Sequence, residues 1–323
     1  MKLTPLFFTP IPKERLWGGQ KLRSFLNKPF EGNAIGESWE LSTVPGDVSV
    51  VAEGPWVGST LDALITNHKA ALVGQKVYDR FGDEFPVLIK FIDAHKDLSI
   101  QLHPHDHLAK ERHQSFGKNE MWYIMQADTE AQLIVGFSRD VEKADYQAHL
   151  ASDSLEDILQ YEPVQSGDTF YIRTGTVHAI GAGILLAEIQ QTSDVTYRIY
   201  DWNRKDKDGN TRELHTDLAV DAIDYTRRND HQAFYDQQAN VANAMVDSPY
   251  FTTDFLPVRG RTTIDAMDKD SFVILMGVRG VVDLHVDGSI YSLSMGQTVL
   301  IPATLAIFEL TADDADVLMV YIN

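Results

Sequence analysis

GDTFYIRTGTVH, residues 167–178, and GQTVLIPATLAI, residues 296–307, share one spacing. Each opens on a glycine, Gly167 or Gly296, that leads into a short apolar run. A break follows six residues on, at Arg173 or Pro302, with Gly175 or Thr304 two further along. Eleven residues on stands a position filled by His178 in one copy and by Ile307 in the other. Apolar, β-branched and aromatic runs bounded by Gly, Pro and Asp read as strands. Further runs of this kind are FPVLIKFIDA, EMWYIMQA, AQLIVGF, ILLAEIQ, TYRIYDW, SFVILMG and DVLMVYI. Two copies in register, each preceded by a series of strands, predict two barrels of one type.

Helical patterns interrupt the strands in the N-terminal half. TLDALITNHKAALVGQKVYDRFG places Leu61, Leu64, Ile65 and Leu72 at helical spacing, with Thr60 as an N-cap. VEKADYQAHLASDSLEDILQ and ELHTDLAVDAIDYTRR read as helices too, and Asp106 is placed to cap a short helix through DHLAKERHQSF. Residues 227–245 are polar, rich in Gln and Asn and weakly periodic, and the chain beyond them is almost wholly strand-like.

The first copy resembles the second half of the cupin motif, whose final position is a metal-binding histidine. The expected fold is therefore mainly β: two cupin-type (jelly-roll) β-barrels with helical insertions in the N-terminal half. Residues 1–230 are expected to form a catalytic, metal-binding domain, and residues 231–323 a degenerate barrel without a metal site. Ile307 cannot ligate a metal, and TVLIPATLAIFEL around it predicts a barrel interior packed with aliphatics. His285, in VVDLHVDG, reads as a packed or solvated strand histidine.

The other half of a metal site is sought in SIQLHPHDH, residues 99–107. Gln101 and His103 lie two apart on a strand and so face one way. His105 and His107 lie beyond Pro104 and read as exposed loop histidines. Glu120, in GKNEMWYIM, completes a set of Gln101, His103, Glu120 and His178. Alone, Glu120 would read as a surface carboxylate and His178 as a core histidine; the set persuades because its segments fall in the expected places of one barrel. Nitrogen and oxygen donors suit zinc, at about 2.0–2.2 Å, and also Fe(II) or Mn. The chain has no cysteine, which removes thiolate ligands and disulfides and fits a reducing cytoplasm.

Charge narrows the partners. A net charge of −19 repels nucleic acid and anionic membranes. No apolar run reaches the roughly 18 residues of a membrane span, and the N-terminal apolar patch, broken by prolines, does not read as a signal peptide. Hydrophobic residues make up 44% of the 323, enough for a sizeable globular core. An anionic substrate would require local Lys and Arg, which makes Arg198 and Arg204 in TYRIYDWNR notable; the plainer reading pairs them with Asp201 or Asp206.

SIQLHPHD, GKNEMWYIM and the run from Val177 to Arg204 closely resemble the signature segments of the type I mannose-6-phosphate isomerases in their short bacterial form, and KERLWGG and IGESWELS resemble them as well. The resemblance spans residues 13 to 204. It implies interconversion of mannose 6-phosphate and fructose 6-phosphate with one Zn²⁺ per chain. By position it places the metal ligands on Gln101, His103, Glu120 and His178, with Gln101 the least secure. It places the catalytic cations on Arg198 and Lys118, a phosphate-side cation on Arg204, and other substrate-binding positions on Lys90, Ser99 and Asp194.

Such an isomerisation moves a proton between C2 and C1 through a cis-enediol. A metal can act as Lewis acid and template, and fixed cations stabilise the developing charge. Asp194, Glu37, Lys118 and a metal-bound water remain open as the general base. Two rivals remain on the residues alone. Two histidines and a carboxylate also serve nonheme Fe(II) oxygenases, and a degenerate cupin could bind a sugar phosphate without turning it over.

Overall fold

The structure is a computed structural model, and it describes residues 2–206 and 208–323. Among these residues the strands form three antiparallel sheets. A seven-stranded sheet runs in the order Gln232–Ala233, Thr169–Ile172, Glu120–Ala127, Ile184–Gln191, Val87–Ala94, Ile11–Gly19, Ile35–Leu41. A five-stranded sheet runs Tyr197–Tyr200, Ile100–Leu102, His178–Ile180, Gln132–Phe137, Leu159–Pro163. Together they make the N-terminal barrel. The eight-stranded sheet of the C-terminal barrel is built on the paired long strands Thr252–Asp265 and Ile307–Tyr321.

The expected repeat is present in three dimensions. Gly167 and Gly296 both take positive φ, 94° and 83°, at the turns that feed Thr169–Ile172 and Thr298–Ile301. His178 and Ile307 each begin the next strand. Their surroundings differ, however. His178 is buried, whereas Ile307 is half exposed beside Asp265 and does not fill the barrel interior. The interior is closed instead by Leu256, Val258, Leu275, Leu284, Val299, Leu310 and Val317. His285 sits on a strand with Nε2 2.8 Å from the Thr311 hydroxyl.

The strands Val87–Ala94 and Ile184–Gln191 are buried along their whole length because both faces are covered. Alternation sorts their side chains. Val87, Ile89, Phe91, Leu185, Ala187 and Ile189 join one cluster with Phe251, Phe272, Ile274, Leu318 and Val320 of the C-terminal half. Their polar residues Lys90, Glu188 and Gln190 point the other way, into the N-terminal barrel. Lys90 pairs in register with Glu188, and Glu188 with Trp122. The second barrel thus closes one side of the sheet that carries the site.

The helical expectations need five corrections, the first being that VEKADYQAHLASDSLEDILQ is α-helical only over Lys143–Ala151 and then makes a 3-10 turn at Leu155–Ile158. TLDALITNHKAALVGQKVYDRFG forms three short helices, Leu61–His68, Ala70–Val73 and Gln75–Phe81, broken at Lys69 and Gly74. Gly74 has φ 93°, and a Cβ there would lie 2.0 Å from the Asp270 carbonyl oxygen. The Asp270 carboxylate accepts from the amides of Gln75 and Lys76, at 2.9 and 3.0 Å, so a distant loop caps the third helix. Thr60 holds the N-cap position of the first helix, but its hydroxyl bonds Asp62. The helix Asp106–His113 is capped by His105, whose Nδ1 accepts from Leu108, while Asp106 accepts from Gly117 and Gln191. ELHTDLAVDAIDYTRR is helical only over Thr216–Ala219. No helix among the described residues is long and apolar enough to cross a membrane.

Candidate metal centre and active-site cavity

His178 opens its strand in the five-stranded sheet, opposite Gln101. Glu120 opens its strand in the seven-stranded sheet, and His103 lies one residue past the end of Ile100–Leu102 rather than within it. The two sheets bring them together. Nε2 of His103 lies 3.5 Å from Glu120 Oε2, and Nε2 of His178 lies 3.5 Å from Glu120 Oε1. One ligand atom from each of the three lies within 4.8 Å of the others, and all three side chains are buried.

The orientation of the imidazoles is fixed from behind. His103 Nδ1 donates to the Val195 carbonyl and His178 Nδ1 to the Thr176 carbonyl, each at 2.9 Å. A carbonyl can only accept, so Nδ1 carries the proton and Nε2 keeps its lone pair. Burial holds His178 down at about 4 and His103 well below its ordinary range, so both rings are neutral near pH 7. His103 Nε2, His178 Nε2 and Glu120 Oε2 have no hydrogen-bond partner among the described residues despite their burial. Orphaned polar atoms of this kind are costly unless something compensates them. Two lone pairs and a carboxylate oxygen converging on one point make a cation-binding set. Zinc takes such nitrogen and oxygen donors at about 2.0–2.2 Å, within reach of three ligand atoms that lie within 4.8 Å of one another. The residues present therefore fit the metal.

Glu120 sits in a charged ring. Burial first and the Glu188 carboxylate second push it up to about 8, against the pull of Lys118 and Lys90. Lys118 Nζ lies 3.6 Å from Glu120 Oε2. Lys90 donates to Glu188 Oε2 at 2.8 Å and to Gln190 Oε1 at 2.5 Å, and Trp122 Nε1 donates to the other Glu188 oxygen at 3.0 Å. Glu37 is held by Arg15 through two bonds, at 2.9 and 3.2 Å, and by Trp39 Nε1 at 2.6 Å. Burial alone would raise Glu37, but Lys90, Arg15 and these bonds hold it at about 2.

The centre opens into a cavity of about 440 Å³. Gln101, Lys118, Glu120, His178, Lys90, Ser99, Asp194 and Arg198 all line it. Gln101 lies in register with both His178 and Arg198, and its amide oxygen is 3.2 Å from the Ser99 hydroxyl that donates to it. Arg198 Nε donates in turn to Ser99 Oγ at 3.2 Å. Arg204 does not line the cavity. It binds Asp201 and the Asp97 carbonyl and lies over the Trp202 ring. His107 is 84% exposed and stands outside the centre.

The cavity also gathers Arg15, Trp17, Glu37, Trp39, Glu188 and Arg212, most of which the sequence did not single out. Glu188 had a signal, a carboxylate within the apolar run ILLAEIQ. Arg212 had none, since it lies on an aperiodic loop.

Comparison with known proteins agrees with this geometry. Residues 6–150 match the family model for the catalytic domain of type I phosphomannose isomerase. The chain is 32% identical to the mannose-6-phosphate isomerase of Streptococcus mutans over 310 residues, with 96% of each chain covered. It is 33% identical to mannose-6-phosphate isomerase ManA of Bacillus subtilis over 313 residues, again with 96% of each covered. The crystal structure of the mannose 6-phosphate isomerase from Bacillus subtilis superposes with a TM-score of 0.90 at 30% identity, over 99% of this chain and 100% of that one. The chain belongs to the type I mannose-6-phosphate isomerase family.

Proposed function

We propose that the protein is a zinc-dependent aldose–ketose isomerase that interconverts mannose 6-phosphate and fructose 6-phosphate in the cytoplasm. The observation that carries the reading is the convergence of orphaned lone pairs from His103, Glu120 and His178 at the foot of a cavity lined by cations. In this reading those three residues hold one Zn²⁺ per chain, with Gln101 the fourth candidate ligand from the neighbouring strand. Zinc would supply Lewis acidity at the sugar oxygens on C1 and C2.

The chain's own groups do the rest. Lys118 and Arg198 face the cavity as fixed positive charges against the negative charge that develops on those oxygens, an effect of about 3–4 kcal/mol for one well-aimed donor. Glu37 is unsuited to take a proton, because a carboxyl held at about 2 is a weak base and its oxygens are engaged by Arg15 and Trp39. Asp194, a carboxylate that also lines the cavity, is the group assigned to move the proton between C2 and C1. Lys90, tied to Glu188 and Gln190, positions rather than transfers. Ser99 orients Arg198. Residues 1–230 carry this chemistry, and residues 231–323 support the sheet beneath it.

The test is turnover of mannose 6-phosphate in D₂O, followed by NMR. The reading expects fructose 6-phosphate to appear with deuterium entering at C1, since a proton held by a side chain exchanges with solvent. Absence of ketose from metal-loaded protein would overturn it.

A further inference from the structure

Asp201 is a buried carboxylate that two arginines share. Arg204 reaches it through Nε at 2.9 Å and through Nη2, and Arg212 through Nε at 2.7 Å and Nη2 at 2.6 Å. The two differ in what remains. Arg204 spends Nη1 on the Asp97 carbonyl and lies over the Trp202 ring, so each of its nitrogens is occupied away from the cavity. Arg212 lines the cavity, and its Nη1 has no hydrogen-bond partner among the described residues. Arg198 lines the same wall. Its Nε and Nη1 are held by Ser99 and by the Glu213 carbonyl, which leaves Nη2 without a partner among the described residues.

We infer that Arg212, with Arg198, forms the clamp for the substrate's phosphate, and that Arg204 is a brace that fixes Asp201. This deepens the isomerase reading and rests on it. The physical case is one of charge and preorganisation. Arg204 and Arg212 bond Asp201, and Arg198 lies within range of Arg204, Arg212, Asp201 and Glu213, so three guanidiniums face two carboxylates and the cluster keeps excess positive charge in a chain of −19. Burial and the neighbouring Arg212 both disfavour the charged form of Arg198, a tension that a dianion between the two would relieve. Asp201 holds the Arg212 fork in one orientation before the ligand arrives, and a pre-set planar fork suits phosphate. The family resemblance placed the phosphate-side cation on Arg204, but the chain turns at Trp202 and Asn203, both at positive φ, and carries it off the wall.

The test is calorimetric binding of D-mannitol phosphate to zinc-loaded, full-length protein. This open-chain analogue has the phosphate but no carbonyl to turn over. Arg212→Gln is expected to weaken binding by about ten- to a hundredfold, the scale of lost hydrogen bonds to a charged group, with zinc stoichiometry unchanged. Arg212→Lys, which keeps the charge and loses the fork, is expected to fall between and covers the case in which the Gln variant does not fold. Arg204→Gln also removes an Asp201 contact, so it controls for loosening of Asp201. Wild-type affinity in both Arg212 variants, or an equal or larger loss in Arg204→Gln, overturns the inference. Failure of the wild type itself to bind the phosphate ester would overturn the isomerase reading beneath it.

Discussion

Nε2 of His178 and Oε1 of Glu120 face each other at 3.5 Å across the interior of the N-terminal barrel, on strands of two different sheets. His178 Nε2 and the other Glu120 oxygen, Oε2, are buried without a hydrogen-bond partner among the described residues, a costly arrangement if nothing compensates it. The neutral imidazole cannot donate from Nε2, and the carboxyl is driven up to about 8 by burial and by Glu188. The first prediction follows from the sign of that shift. At pH 7 the metal-free protein holds Glu120 mostly protonated, whereas a metal ligand must be a carboxylate. His103 and His178 are already neutral and contribute nothing. Zinc titrated into metal-free protein at pH 7 should release close to one proton per site, and at pH 9 close to none. Calorimetry in buffers of different ionisation enthalpy reads the number. The same release at both pH values would contradict it.

Arg198 separates charge from geometry. Its guanidinium is set by Ser99 and the Glu213 carbonyl. Lysine keeps the charge but not the planar fork. Arg198→Lys should lower kcat/KM for mannose 6-phosphate by about tenfold or more, with zinc content normal by metal analysis. Near-wild-type turnover would reduce Arg198 to a salt-bridge residue.

Acid stability should carry the mark of Glu37. Its folded pKa, about 2, lies below the ordinary 4.5. The unfolded state therefore binds more protons between those values, and the stabilisation is present above about 4.5 and lost as pH falls toward 2. Glu37→Gln should flatten the stability profile of metal-free protein in that window, read as urea midpoints from pH 5 to pH 2.5. An unchanged slope would remove Glu37 as a contributor.

The C-terminal barrel is predicted to support the site without binding a metal. Phe272 packs against Phe85 of the N-terminal half, with ring centroids 4.8 Å apart and the rings tilted by 34°, and both are fully buried. Phe272→Ala should cost about 3–5 kcal/mol of stability and leave one zinc per folded chain. A zinc equivalent retained in His178→Ala and lost on His285→Ala would reveal a second site and contradict this.

How much of this could be read beforehand differs from residue to residue. The strand runs and the spacing shared by GDTFYIRTGTVH and GQTVLIPATLAI were legible because apolar alternation and turn glycines are local signals. His103, Glu120 and His178 could be grouped only by resemblance, since their meeting depends on the packing of two sheets. The pairing of Arg204 with Asp201 was one of the readings open in the sequence, but the outward turn of Ile307 and the arrival of Arg212 from its loop were not legible. Each is decided by contacts between segments far apart in sequence or by backbone turns without periodicity. The break at Gly74 belongs with them, because the Asp270 loop fixes it.

The central claim is that His103, Glu120 and His178 hold the metal on which isomerisation depends. Chelated, metal-free protein should show no interconversion of mannose 6-phosphate and fructose 6-phosphate in a coupled assay. One equivalent of Zn²⁺ should restore it, and His178→Ala should neither retain zinc nor recover, whereas His107→Ala should do both. Full turnover by metal-free protein, or recovery of His178→Ala with zinc, would contradict the account.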